Sequence, residues 1–85
     1  MHMDRGIFSL EASVEATSLY ILLCALLDQG EPTTLARARV QWNGKSGSLV
    51  KAAEELMRRR VIDEALPLSE DEPLHVNPRE KWDSF

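Results

Sequence analysis

Hydrophobic residues recur at spacings of three and four positions in three successive segments of the chain. The segments run from Ser13 to Gly30, from Thr34 to Trp42 and from Ser48 to Arg60. Residues at this spacing share one face of an α-helix. Hydroxyl side chains, which favour the N-cap position of a helix, stand at each start: Ser13 for the first, Thr33 or Thr34 for the second, and Ser46 or Ser48 for the third. The pattern therefore predicts three amphipathic helices.

Two short extended runs follow the third helical segment. They are ALPL and PLHV, residues 65–68 and 73–76, and an acidic tip at Glu70 to Glu72 lies between them. Proline lacks a backbone donor and is tolerated at the edge of a sheet, so the two runs predict a small hairpin at an edge. The predicted fold class is mainly α with a small β-hairpin.

The first helical segment is apolar around nearly its whole circumference. Ile21, Leu22 and Ala25 lie on the side opposite the expected core face. Because an exposed apolar patch marks an association site, these three residues are predicted to form a homodimer interface. The alternative is a cover within one chain, by three apolar residues near the N-terminus: Ile7, Phe8 and Leu10.

Composition limits the class of protein. The 85 residues suffice for one domain with a single small core, and 44% hydrophobic with 28% charged residues is typical of a folded chain. A single cysteine excludes an intrachain disulfide. The longest apolar run, Leu19 to Leu27, is too short to cross a bilayer. We therefore expect a soluble, cytoplasmic protein without membrane contact, and whether the chain is a piece of a longer protein stays open.

The sequence lacks the patterns of a catalytic or metal site. Cys24 lies in the most apolar helix, where a thiol is usually a core residue, and His75 has no partner at dyad spacing. Gly44-Lys45-Ser46 resembles part of a phosphate-binding loop, but Arg39 stands where that motif needs its first glycine. We predict no enzyme activity, no cofactor and no metal.

Charge is distributed unevenly along the chain, whose net charge is −4. From Arg37 to Arg60 there are seven basic and two acidic residues, a net charge of +5. The remaining three basic and twelve acidic residues give −9. A basic segment within an acidic chain indicates a local patch that could contact phosphates.

Two arginines in this segment have a simpler explanation. Glu54 with Arg58, and Glu55 with Arg59, are acid-first pairs four residues apart, each worth about 0.2–0.5 kcal/mol in a helix. These pairs account for both arginines without a ligand. Nucleic acid is the better explanation for four other residues: Arg37, Arg39, Lys45 and Lys51.

The order helix, short helix, turn, helix and hairpin, with LMRRRVI leading into the extended runs, resembles the winged helix-turn-helix family. The resemblance covers Ser13 to Val76 and implies that the third helix enters the major groove of double-stranded DNA. It implies a DNA-binding transcriptional regulator, for which a homodimer would match two half-sites. The residues implied to contact DNA are Arg37, Arg39, Lys45, Ser46, Ser48 and Lys51.

Several residues depart from the family's pattern. Arg60 stands where a glycine often closes the third helix, so it must adopt a left-handed conformation, at a cost of about 1–2 kcal/mol, or extend the helix. Glu54 and Glu55 on the outward face, and the acidic tip, would repel DNA. The alternative function is a winged-helix module that binds another protein and no nucleic acid.

The predicted architecture is thus a three-helix winged helix-turn-helix. Residues 1–10 are expected to form an N-terminal arm, residues 11–77 the winged-helix domain, and residues 78–85 a C-terminal tail. The tail is expected to dock through its aromatic residues, Trp82 and Phe85.

Overall fold

A computed structural model describes residues 5–9, 11–42, 46–63 and 71–82 of the protein. Within these ranges the α-helices are α1 (Gly6–Ser9), α2 (Val14–Asp28), α3 (Leu35–Gln41) and α4 (Ser46–Arg58), and a 3-10 helix spans Arg79–Lys81. The helices α2, α3 and α4 correspond to the three predicted ones. The additional helix α1 lies in the predicted N-terminal arm.

Hydroxyl side chains fix where α2 and α3 begin. The Ser13 hydroxyl accepts a hydrogen bond from the Ala16 amide at 3.1 Å, and the Thr34 hydroxyl accepts one from the Arg37 amide at 3.1 Å. Each bond satisfies one of the backbone donors that the first turn of a helix leaves without a partner.

A glycine in a left-handed conformation ends α2. Gly30 has φ +71, its amide donates to the Leu27 carbonyl at 3.1 Å, and the next amide, of Glu31, donates to the Leu26 carbonyl at 2.8 Å. This hydrogen-bond pattern is a Schellman motif.

An arginine takes the equivalent place at the end of α4. Arg60 has φ +59, its amide donates to the Met57 carbonyl at 3.1 Å, and the Val61 amide donates to the Leu56 carbonyl at 2.9 Å. Of the two options that the sequence left open, Arg60 therefore adopts the left-handed conformation, and α4 ends at Arg58.

One hydrophobic core lies between the helices. The helix α2 packs mainly against α4 and also contacts α1 and α3. The described residues after α4 contribute Val61, Ile62, Leu74 and Val76 to the same core. The largest fully buried side chains are Ile7, Leu19, Tyr20, Leu23, Leu26, Leu35, Leu49, Leu56, Val61 and Ile62.

The predicted β-hairpin is wrong for the part of the chain that the structure describes. No strand forms there, and the extended segments meet in one isolated antiparallel bridge between Ile62 and Val76. Backbone hydrogen bonds of 2.8 and 3.0 Å flank this bridge. The first predicted run, residues 65–68, lies outside the described residues. The winged fold class is therefore corrected to a mainly helical globule.

The second predicted run does not form a hairpin strand because its backbone groups bond to a different segment. The Leu74 amide donates to the Thr33 carbonyl at 2.8 Å, and the Thr33 hydroxyl donates to the Leu74 carbonyl at 2.9 Å. Pro73, just before it, has no amide hydrogen to offer. The second run therefore forms hydrogen bonds with Thr33, just before α3, and with Asp63, after α4.

The segment after the bridge folds back onto α2. The Trp82 indole donates to the Asn77 carbonyl at 2.9 Å, and its ring meets the Tyr20 ring edge to face with centroids 5.3 Å apart. The Asn77 side-chain amide donates to the Arg60 carbonyl at 3.0 Å. Trp82 therefore docks by its aromatic ring as expected, and Phe85 lies outside the described residues.

Candidate functional site

Ser48, one of the predicted DNA-contacting residues, lies in the first turn of α4. The Trp42 indole donates to the Ser48 hydroxyl at 3.1 Å, and the Trp42 ring packs against the core. This bond ties the end of α3 to the first turn of α4. Ser48 therefore has a structural role at the junction. Lys45 lies outside the described residues, and of Ser46 only the backbone, in the first turn of α4, is described.

Arg37 has an acidic partner that helical spacing did not predict. One of its terminal nitrogens lies 2.6 Å from a Glu31 carboxylate oxygen, and the two side chains are 46% and 35% exposed. Glu31 lies in the connector before α3, six residues away, so a search for pairs three or four residues apart misses it. An ion pair this exposed typically contributes about 0–1 kcal/mol, so a phosphate could replace the carboxylate. Arg39 is partly buried.

We use the name α4 face for the four exposed residues that line the outward side of α4: Gly47, Lys51, Glu54 and Arg58. Their spacing of four, three and four places them along one side of the helix. Two acidic residues, Glu54 and Glu55, follow Lys51 by three and four residues. Lys51 therefore also has acidic residues at helical spacing. The α4 face carries two positive charges and one negative charge.

Glu55 does not lie on the outward side, contrary to expectation. Its carboxylate accepts a hydrogen bond from the Ser13 amide at 2.8 Å, and one oxygen lies 3.7 Å from Arg59 Nε. Both side chains of this ion pair are 19% exposed. The predicted pair of Glu55 and Arg59 is confirmed, whereas the bond to Ser13 joins residues 42 positions apart and has no local sequence signal.

The surroundings of Glu55 stabilise its charged form. Burial alone would raise the pKa of this carboxyl, but hydrogen bonds from the Ser13 backbone and hydroxyl, and the charges of Arg59 and Arg58, outweigh burial. The net pKa of Glu55 therefore lies below its ordinary value. The carboxylate completes the N-cap of α2 from another helix, a role that a glutamate at the third helical position usually has. That position is Ala16 here.

A second surface lies on the outward side of α2. Ile21 is 39% exposed and Val14 is 78% exposed, and the other two predicted interface residues, Leu22 and Ala25, are partly buried. The sequence reasoning missed Val14, although its distance of seven residues from Ile21 places both on the same side of the helix.

The described part of the N-terminal segment leaves Val14 and Ile21 exposed. Ile7 is fully buried in the core and Phe8 is 58% exposed, while Leu10 lies outside the described residues. Ile21 stays exposed, whereas Leu22 is partly buried against the core cluster that includes Ile7.

Two further features bear on chemistry: the environment of Cys24 and the grouping of metal-ligating side chains. Cys24 is 2% exposed, and burial, the largest effect on it, raises the pKa of its thiol. No group of three His, Cys, Asp or Glu side chains that could hold a metal occurs in the described ranges. None of the described helices combines the length and the apolar character that crossing a bilayer requires.

Comparisons with protein-family models, with curated proteins and with solved structures found no match. Two surfaces of the protein are candidate functional sites: the α4 face and the outward side of α2.

Proposed function

We propose that the protein binds double-stranded DNA through the α4 face, and that it acts as a transcriptional regulator, the use that the sequence resemblance implies. The observation that carries this proposal is the inward position of Glu55. One of the two acidic side chains expected to repel DNA is instead bonded to Ser13 and Arg59. On the exposed face, Lys51 and Arg58 outnumber Glu54.

The first turn of α4 supports the same proposal. It contains no acidic residue, and its first residues are the small Ser46, Gly47 and Ser48. Small side chains let a phosphate approach the backbone amides at a helix N-terminus, where the helix dipole favours negative charge. A helix of this diameter fits the major groove of B-form DNA.

Arg37 would contribute a contact to the DNA backbone. Its partner Glu31 is about as exposed as Arg37 itself, so the two can separate at little cost. When phosphate replaces Glu31, the arginine exchanges one exposed ion pair for a bidentate contact. Ser48 would contribute through the junction, because its bond to Trp42 fixes the start of α4 relative to α3.

The proposal is tested by selection from a random duplex library at low salt, followed by affinity measurements over a salt series. We expect retained duplexes whose affinity falls with a slope of about −0.9 per phosphate contact. Lys51→Ala should flatten that slope by about 0.9. Lys81→Ala, which changes another exposed lysine in the 3-10 helix, is the matched control and should leave the slope unchanged. The DNA proposal fails if no duplex is retained at about 50 mM salt.

A second candidate is a module that binds another protein. The exposure of Val14 and Ile21 on α2 favours it, because apolar side chains in a group mark association sites. Salt distinguishes the two functions, since binding through apolar contacts responds weakly to ionic strength.

A further inference from the structure

We propose that Glu31 competes with the DNA backbone for Arg37, and that this competition lowers the affinity of the protein for DNA. The inference rests on the proposed function, because it concerns one of the side chains through which DNA would be bound. In the protein alone, a terminal nitrogen of Arg37 lies 2.6 Å from a carboxylate oxygen of Glu31, the short distance of a charge-assisted hydrogen bond. Carboxylates and phosphates both offer anionic oxygens to a guanidinium group, so the two compete for the same arginine.

The backbone that carries the Glu31 carboxylate is fixed at several points. The Glu31 amide donates to the Leu26 carbonyl at 2.8 Å, and the following residue, Pro32, restricts Glu31 to extended conformations. Next in the chain, Thr33 exchanges two hydrogen bonds with Leu74, of 2.8 and 2.9 Å. Because the connector is held in this way, the carboxylate can leave its partner only by rotation of the side chain. It therefore stays near the arginine when DNA arrives.

The backbone that carries the guanidinium group is fixed as well. The Arg37 amide donates to the Thr34 hydroxyl at 3.1 Å, which places Arg37 in the first turn of α3. A positive charge gains nothing from the helix dipole in that turn. The first turn of α3 contains no acidic residue, so Glu31 supplies the negative charge beside Arg37 from outside the helix. In the complex, a DNA phosphate would take over this role.

The exposure of the pair sets the size of the effect. The Arg37 and Glu31 side chains are 46% and 35% exposed, and solvent weakens an ion pair of this kind. The fixed backbones act in the opposite direction, because less conformational freedom is lost when the two side chains meet. We therefore expect removal of the competitor to tighten DNA binding about three- to fivefold, the equivalent of roughly 0.7–1 kcal/mol.

A double-mutant cycle in the full chain tests the competition. Duplexes from the selection are titrated at about 0.1 M salt, where exposed charges more than about 10 Å apart are largely screened. Glu31→Gln keeps the size of the side chain and removes its charge, so it should tighten binding about three- to fivefold. In an Arg37→Ala background the same substitution should change the affinity less than about twofold, because the competition requires the arginine.

Glu80→Gln is the matched control for the loss of one negative charge. It changes an exposed acidic residue in the 3-10 helix and should change the affinity less than about twofold. Circular dichroism verifies that each variant is folded. An equal gain with and without Arg37, or an equal gain from Glu80→Gln, would show that Glu31 acts only through its charge at a distance.

A gain in neither background would show that Glu31 does not compete with DNA. Each of these results overturns the proposed competition and leaves DNA binding itself intact. If neither the wild type nor Glu31→Gln retains any duplex, the proposed function fails, and the competition fails with it.

Discussion

The carboxylate of Glu55 accepts the backbone hydrogen bond of Ser13, so a side chain of α4 completes the N-cap of α2. The Ser13 hydroxyl simultaneously accepts from the amide of Ala16. The start of α2 is therefore secured both from its own sequence and from the helix against which it packs.

Removing this carboxylate should destabilise the protein. We expect Glu55→Ala to lower the free energy of unfolding by about 1–2 kcal/mol, because the Ser13 amide loses its partner. Urea denaturation measures the change. The control is Glu54→Ala on the neighbouring exposed residue, which should change stability by less than about 0.5 kcal/mol. Equal effects of the two substitutions would contradict the interhelical cap.

The same contact should make stability depend on pH in the acid range. The pKa of Glu55 in the folded protein lies below its ordinary value of 4.5, so the folded state favours the ionised form. The resulting stabilisation is present above pH 4.5 and is lost as pH falls through the folded pKa. Compared with Glu55→Gln, the wild type should have an advantage at pH 7 that shrinks below about pH 4.5. An advantage that does not change with pH would argue against an ionised Glu55.

Gly30 and Arg60 are the left-handed residues at the ends of α2 and α4, and exchanging glycine for a larger residue or the reverse should have opposite effects on stability. Arg60→Gly should raise the free energy of unfolding by up to about 1 kcal/mol, because relief of the left-handed conformation exceeds the entropy cost of glycine. Gly30→Ala should lower it by about 1 kcal/mol. A methyl group at Gly30 would meet no atom within 4 Å, so the cost comes from the backbone alone. Thermal unfolding of both variants tests the prediction: Arg60→Gly should raise the free energy of unfolding and Gly30→Ala should lower it.

Trp82 should stabilise the protein by two separable contacts. Trp82→Phe keeps an aromatic ring against Tyr20 but loses the hydrogen bond to the Asn77 carbonyl, for a cost of about 1 kcal/mol. Trp82→Ala loses both contacts and should cost about 2–3 kcal/mol, less than for a fully buried tryptophan. Denaturant titration of both variants separates the two contributions, and equal losses would show that the ring contact adds nothing.

The helices that the sequence predicted are those whose signals are local. Ser13 and Thr34 cap their helices through residues three positions away, and Gly30 ends α2 by its own conformation. The pair of Glu55 and Arg59 was predictable for the same reason. The helix α1 was missed because its four residues form about one turn, too short for a periodic pattern.

The features that the sequence failed to predict depend on contacts between distant residues. Leu74 bonds to Thr33, 41 positions earlier, and a pattern of alternating residues cannot distinguish this pairing from a hairpin. The inward orientation of Glu55 likewise depends on Ser13 in another helix. At the candidate site, the sequence predicted the basic segment. It did not predict the partner of Arg37, because Glu31 lies in the connector before α3 and not at helical spacing.

Cys24 lies on the buried face of α2, so its thiol can report when this part of the core opens. The chain has one cysteine, and its side chain is 2% exposed, so a thiol reagent can reach it only in molecules that have opened locally or globally. When opening and closing are fast compared with alkylation, the labelling rate is proportional to the equilibrium population of the open form. Labelling kinetics would therefore measure the opening free energy of this part of the core under native conditions, without denaturant and without any substitution in the chain.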